Sequence, residues 1–227
     1  MDRRGFLATT VAAGTTLSMT TTAAPHQEKK AIRIVGVACS PRQGKTTATG
    51  VRVALEAAKG VDPRIQTELI DLGGLKIAGS LGGASSAETK QPQDDFELKV
   101  LPALKAPQLP DGLIIGSPCY FRSMSALCKA FLERLQVFRS PRLLLADTPL
   151  GVLSVGAYRN GGQEIVIQEI QTAMLCHEVM LVGGKPRAHQ GATLWNAYKD
   201  DIMKDEFGIE TAMQLGIRVA EAALKLT

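Results

Sequence analysis

Aromatic residues make up only 4% of this 227-residue chain, and histidine occurs three times. His26, His177 and His189 form no metal-ligand pattern. The four cysteines, at 39, 119, 128 and 176, have none of the spacings of a zinc site. After the first two dozen residues, no stretch reaches the roughly 18 apolar residues that a membrane span needs. The mature chain is therefore expected to lack one. Excess charge is also modest. The formal balance is +4, of which Asp2, Arg3 and Arg4 together contribute +1. So small and scattered an excess argues against a nucleic-acid protein and suits an anionic small-molecule ligand. With 45% hydrophobic and 21% charged residues, the composition excludes disorder, collagen and coiled coil, and the length suits one domain.

The N-terminus differs from the rest. Arg3-Arg4-Gly5-Phe6-Leu7 precedes an uncharged Thr/Ala-rich stretch, 8–24, and then Pro25. A basic start, a weakly apolar middle and small residues at the end describe a cleavable export signal over 1–24. The arginine pair resembles a twin-arginine signal, which implies a periplasmic protein exported after folding; a cytoplasmic location is the alternative. Residues 25–30 then read as a linker and 31–227 as the domain.

From Ala31 onward, short apolar runs alternate with helix-period segments. Residues 31–38, 65–71, 112–116, 151–155 and 179–182 read as strands. Helices are expected over 46–59, 125–136, 163–176 and 209–226, with stripes such as Val51/Leu55/Ala58 and Leu215/Val219/Ala222. Alternating strands and helices imply a parallel sheet covered on both faces. Right-handed crossovers then lead to an α/β three-layer sandwich of the flavodoxin type, five strands in the order 2-1-3-4-5. Residues 65–71 alternate in polarity, as an edge strand should. Residues 73–92 read as a flexible Gly/Ser-rich segment, and 185–199 show no regular pattern.

Ligands of such sheets bind outside the carboxyl ends of the strands, where three loops look equipped for one ligand. In the first, Ser40, Thr46 and Thr47 offer hydroxyls, Arg42 and Lys45 positive charge, and Gly44 a close backbone approach, all at a helix start suited to phosphate. This loop nearly matches a nucleotide-binding P-loop, but Cys39 stands at the first glycine position and no acidic residue is expected to end the following strands as a magnesium ligand. The second loop carries Pro118, Cys119, Tyr120, Phe121 and Arg122, whose aromatics can cover a flat ring. The third carries Gly156, Arg159, Asn160, Gly161 and Gly162. Its glycines admit a close backbone approach, and its donors can stabilise negative charge on a reduced ring.

The segment from Asp111 to Leu135, with Gly116-Ser117-Pro118-Cys119-Tyr120-Phe121, resembles the Gly-Ser-Pro-x-Tyr-Phe stretch of NADPH-dependent FMN reductase-like proteins. Ser40-Pro41-Arg42 and the Gly161-Gly162-Gln163-Glu164 run are similar to that family as well. Residues 188–192 and 205–212 resemble the tail of the related iron–sulfur flavoproteins. The resemblance implies FMN as cofactor, NAD(P)H as a possible reductant, a small-molecule or protein electron acceptor, and a homodimer or homotetramer. It also implies an FMN-dependent oxidoreductase with no side-chain general base. An exported flavodoxin-like electron carrier and a flavin-free binding module are the alternatives. Two departures stand out: residues 73–92 contain no cysteine where the iron–sulfur proteins carry a cluster, and Lys45 replaces the usual Asn. Cys39 and Cys119 both follow neighbouring strands and could pair as a disulfide. His177 is expected to cap a helix end, and His189 to approach the site.

Overall fold

Every residue of the first strand, β1 (Ile32–Ala38), is buried, which marks it as central. The computed structural model describes residues 30–81 and 93–227. The expected export signal and most of the expected linker lie outside them. After β1 come α1 (Thr46–Lys59) and β2 (Ile65–Asp71), then a π-helical turn (Phe96–Val100) that runs into α2 (Leu101–Lys105). β3 (Gly112–Tyr120), β4 (Ser123–Met124) and α3 (Ala126–Arg134) follow, then β5 (Pro149–Gly156) and α4 (Gln163–Leu175). The chain closes with β6 (Met180–Leu181), β7 (Ala192–Trp195) and α5 (Glu206–Leu226).

The sheet order is β2-β1-β3-β5-β6, with all neighbours parallel along this path. This is the expected flavodoxin-like α/β sandwich, with β2 at the edge. Two details differ from expectation. The fifth position is shared: β6 pairs with the start of β5 (Pro149–Leu150), and β7 pairs with its end (Leu153–Gly156). The segment 185–199 thus contributes a strand, too short to show a period. In addition, β3 runs on to Tyr120 and folds back antiparallel into β4.

Alternation of side chains across the strands builds two cores. On one face Val35, Val37, Leu113, Ile115, Leu150 and Val152 meet α3, the turn that follows it and α4 through Phe131, Leu135, Val166 and Ile170. On the other, Ile34, Ile114, Leu153 and Val155 meet α1 and α5 through Val51, Leu55, Leu215 and Val219. Glycines bring these last two helices close. A Cβ on Gly36 or Gly116 would lie 2.5 or 2.6 Å from Val51, and one on Gly216 would lie 1.9 Å from the Ala54 carbonyl.

Two buried cations staple the periphery. Arg33 interrupts the apolar run of β1, yet its guanidinium donates to the carbonyls of Ala103, Leu104 and Gln108 and to Glu68 at 2.5–2.9 Å. A buried charge is tolerable when its donors are met. Arg134 of α3 donates to Ala78 O and Asp94, reaches Glu97 and lies over the Phe96 ring. Lys76 N–H and Ala78 N–H donate to Asp95 and Asp94, and Ser80 N–H to Glu133. The stretch from Gly73 to Ser80, expected to be flexible, is tied down on both sides; 82–92 lie outside the described residues.

Gly216→Ala is expected to force α1 and α5 apart and to destabilise the fold by about 1–3 kcal/mol. Chemical denaturation checks this, and an unchanged midpoint would contradict the close helix crossing.

Candidate functional site

Because β1, β3 and β5 are adjacent and parallel, their carboxyl ends emerge side by side at one rim. The three expected loops meet there. Cys39 N–H donates to Gly116 O at 2.7 Å, and Ser125 Oγ–H to Cys39 O at 2.6 Å, which locks the first loop to the second. The Cys119 thiol donates to Gly161 O at 3.2 Å, which locks the second to the third.

The first loop has the features of an anion cradle. Ser40 is buried, and its Oγ accepts from Arg42 N–H at 3.2 Å. Gly44 turns the chain at φ +66° with open space where a side chain would stand. Lys45 occupies the N-cap position of α1 without capping it, and the first turn has no acidic residue. Thr46 and Thr47 are buried, and the Thr47 Oγ has no hydrogen-bond partner among the described residues. A helix start with no acidic residue, two adjacent cations and an unsatisfied buried hydroxyl favour an anion.

A brace beneath this loop was not foreseen. Asp71 ends β2, against the expectation that no acidic residue would end the following strands. Its two oxygens accept Gly44 N–H at 2.7 Å and Gly73 N–H at 2.9 Å. Gly74 N–H donates to Pro41 O at 3.3 Å, and a Cβ on Gly73 would sit 2.3 Å from Gln43 Cα. Asp71 thus serves as a backbone clamp for the phosphate-type loop. Arg42 and Lys45 meet Asp200, at 2.9 and 3.9 Å. Hydrogen bonds from the Asn196 amide, then from Arg42, hold the Asp200 carboxyl below the usual carboxylate range.

The second loop is a strained hairpin tip. Pro118 is buried in β3, Cys119 is half-buried, Tyr120 is partly exposed and Phe121 is fully exposed. Phe121 and Arg122 both adopt left-handed backbone, at φ 52° and 63°. Two consecutive non-glycine residues in that region cost on the order of 1–3 kcal/mol each and mark functional loops. Glu169 of α4 holds the return, accepting Ser123 Oγ–H and Met124 N–H at 3.0 Å. Burial pushes the Cys119 thiol above its ordinary value.

The third loop runs into α4. Gly162 turns at φ +103°, and a Cβ there would lie 3.1 Å from Arg122. Gln163 is buried and organises the turn: its Oε1 accepts Gly161 N–H at 2.8 Å, and its Nε2 donates to Tyr158 O at 2.6 Å. A Cβ on Gly156 would collide with Gln163 at 2.5 Å. Asn160 is exposed at the loop tip. Arg159 was expected to aim at a ring, but it pairs with buried Asp205, between the rings of Trp195 and Phe207. Its Nη1 is buried without a partner among the described residues. Asp205 also accepts Trp195 N–H at 2.6 Å and Gly208 N–H at 3.2 Å at the α5 start.

The remaining expectations are corrected. All four cysteines are free, and the Cys39 thiol meets Cys128, not Cys119. The Cys39 side chain points into the core on the α3 side of the sheet, while Cys119 turns toward Gly161. Burial, then Cys128, pushes the Cys39 thiol well up. His177 is buried, with Nδ1 unpartnered among the described residues, and burial lowers its pKa; it is no charged helix cap. His189 is exposed and precedes β7, at the opposite end of that strand from the loops.

Cys39 stays protonated when folded and ionises more readily when unfolded. Stability is therefore expected to fall as the pH rises above about 8.5, the ordinary thiol range. Denaturation midpoints measured on either side of that pH check it. Cys39→Ala should flatten the profile, and an identical slope in the variant would contradict the assignment.

Comparison with known proteins gives this geometry a family. A family model described as NADPH-dependent FMN reductase matches residues 32–192. An iron–sulfur flavoprotein of Methanocaldococcus jannaschii is 36% identical over 84% of this chain and 96% of its own length. An iron–sulfur flavoprotein of Methanosarcina thermophila is 29% identical over 81% of this chain and 93% of its own. Among solved structures, an apo NADH:FMN oxidoreductase superposes with TM-score 0.60 at 21% identity, over 86% of this chain and 90% of that one. A flavodoxin-like WrbA-like protein from Agrobacterium tumefaciens gives 0.59 at 17% identity, over 87% and 100%. Both show the same fold. An iron–sulfur cluster does not fit the cysteines of this chain. Cys39 and Cys128 share one buried position, Cys119 faces Gly161, Cys176 is exposed at the end of α4, and no cysteine lies in 73–92. With β1 to β6 and all three rim loops inside the matched span, the chain belongs to the NADPH-dependent FMN reductase family.

Proposed function

We propose that this chain, an FMN-dependent oxidoreductase by family, holds FMN across the three rim loops and passes electrons from NAD(P)H or another donor to a small acceptor such as a quinone, a free flavin or a metal ion. The observation that carries the reading is the start of α1, where the buried Thr47 Oγ lacks a partner among the described residues in a loop that also carries Arg42 and Lys45. A phosphate monoester supplies the acceptor oxygens that the Thr47 hydroxyl lacks and an anion for the loop's cations.

The residues divide the work by position. Ser40, Thr46 and Thr47, with the first backbone N–H groups of α1, would hold the phosphate. Asp71 keeps the Gly44 backbone in its turn while this happens. Tyr120 and Phe121 stand at the rim where a ring would lie and can shield it from water. Gly161 and Gly162 let the third loop pack closely against Tyr158 and Arg122 and so shape the rim beside the ring. Arg159, held by Asp205 against Trp195 and Phe207, braces the third loop. Bound FMN supplies the redox chemistry, as hydride or single-electron transfer at N5.

A second reading, an exported electron carrier, is favoured by Arg3-Arg4 at the N-terminus, since NAD(P)H is a cytoplasmic reductant. Steady turnover with NAD(P)H and a quinone supports the enzyme. Reduction that reaches only a protein partner supports the carrier. Recovery of a shortened chain from the periplasmic fraction checks export, and a full-length chain confined to the cytoplasm would sink it.

Purified protein is expected to show flavin absorption and to release FMN identifiable by mass. Thr47→Val should weaken FMN binding about tenfold, the loss of one hydrogen bond to a charged group, and leave riboflavin binding unchanged. Colourless protein that refuses added FMN would overturn the reading.

A further inference from the structure

The two cations of the phosphate-type loop already carry an anion. Arg42 Nη1 donates to both oxygens of Asp200 at 2.9 Å, across 158 residues of sequence. Lys45 Nζ stands 3.9 Å from the same carboxylate. The carboxylate is placed by its surroundings. Asn196 N–H donates to Gly156 O at 2.9 Å, pinning the segment to the end of β5. Asn196 Nδ2 then donates to Asp200 Oδ1 at 3.0 Å, and Asp200 N–H returns to Asn196 Oδ1 at 3.1 Å. Lys199 and Asp200 adopt left-handed backbone at φ 49° and 72°, unfavourable for non-glycine residues. Local strain is thus tolerated to keep a carboxylate over the loop.

Carboxylate and phosphate oxygens seek the same guanidinium and ammonium donors. Two such anions close together also repel each other. We propose that Asp200 is an internal stand-in for the ligand's phosphate, seated on Arg42 and Lys45 and weakening the hold on phosphate-bearing flavin. The inference rests on the reading of the first loop as the FMN phosphate site. It deepens that reading by naming a residue that sets how readily FMN exchanges. Riboflavin has the same ring and no phosphate, so Asp200 should not affect it.

The test compares wild-type protein with Asp200→Asn, which keeps the shape and can still bond Asn196, and with Asp200→Ala. Both are titrated with FMN and with riboflavin, followed by flavin fluorescence at low and high salt. The expected result is FMN binding about two- to fivefold tighter in both variants, the size of a partly exposed ion pair. Riboflavin affinity should be unchanged, FMN release slower, and the difference smaller at high salt. Inorganic phosphate should compete with FMN at lower concentration in the variants. Unchanged or weaker FMN binding would overturn the proposal and make Asp200 a positioner of Arg42 or a plain surface pair. Equal tightening of FMN and riboflavin would also overturn it. Wild-type protein that binds FMN no better than riboflavin overturns the phosphate-loop reading itself, and the proposal with it. Wild-type preference for FMN without the variant effect overturns the proposal alone.

Discussion

Parallel pairing of β1, β3 and β5 puts three carboxyl ends in register, and the rest of the site follows from that register. Ala38 pairs with Gly116, and Gly116 with Leu153, so the strands leave the sheet within a few residues of one another. The loops that emerge have little freedom. Backbone and side-chain bonds through Cys39, Ser125, Cys119 and Gly161 stitch each loop to the next. The three loops therefore form one continuous rim.

The rim is stiff at its first loop and strained at its second. Asp71 and the turn at Gly73 and Gly74 brace the first loop from the neighbouring strand. The second loop holds Phe121 and Arg122 in left-handed backbone, with Glu169 tying down its return strand. Strain at a binding rim is a known use of an over-determined scaffold. Here the determinants are visible: β4 pairing on one side and α4 on the other.

Much of this was legible in the sequence because long periodic segments report themselves. The Val51–Leu55–Ala58 stripe gave α1 its residues, and the alternation of 65–71 gave β2 both its span and its edge position. What escaped was short or distant. Four residues of β7 cannot display a period, and the glycines and proline before them look like loop. Arg33 reads as an interruption until the carbonyls at the end of α2 meet it. Asp71 was read only as part of a strand; that its carboxylate clamps Gly44 depends on β1–β2 pairing. The partners of Arg159 and Arg42, Asp205 and Asp200, come from the far end of the chain, and spacing alone cannot place them. The cysteines show the same limit. Proximity of strand ends suggested Cys39 with Cys119, but the side-chain alternation at the end of β1 sends Cys39 inward to Cys128.

The divided fifth position of the sheet has a further effect. β6 covers the start of β5, and β7 covers its end. Neither piece exceeds four residues, and ten residues of chain separate them. An uninterrupted outer strand would offer a ladder of open amides to any extended chain that drifted past. Broken in two, that border is a poorer template for intermolecular strand addition than the continuous seven-residue β2 at the opposite edge.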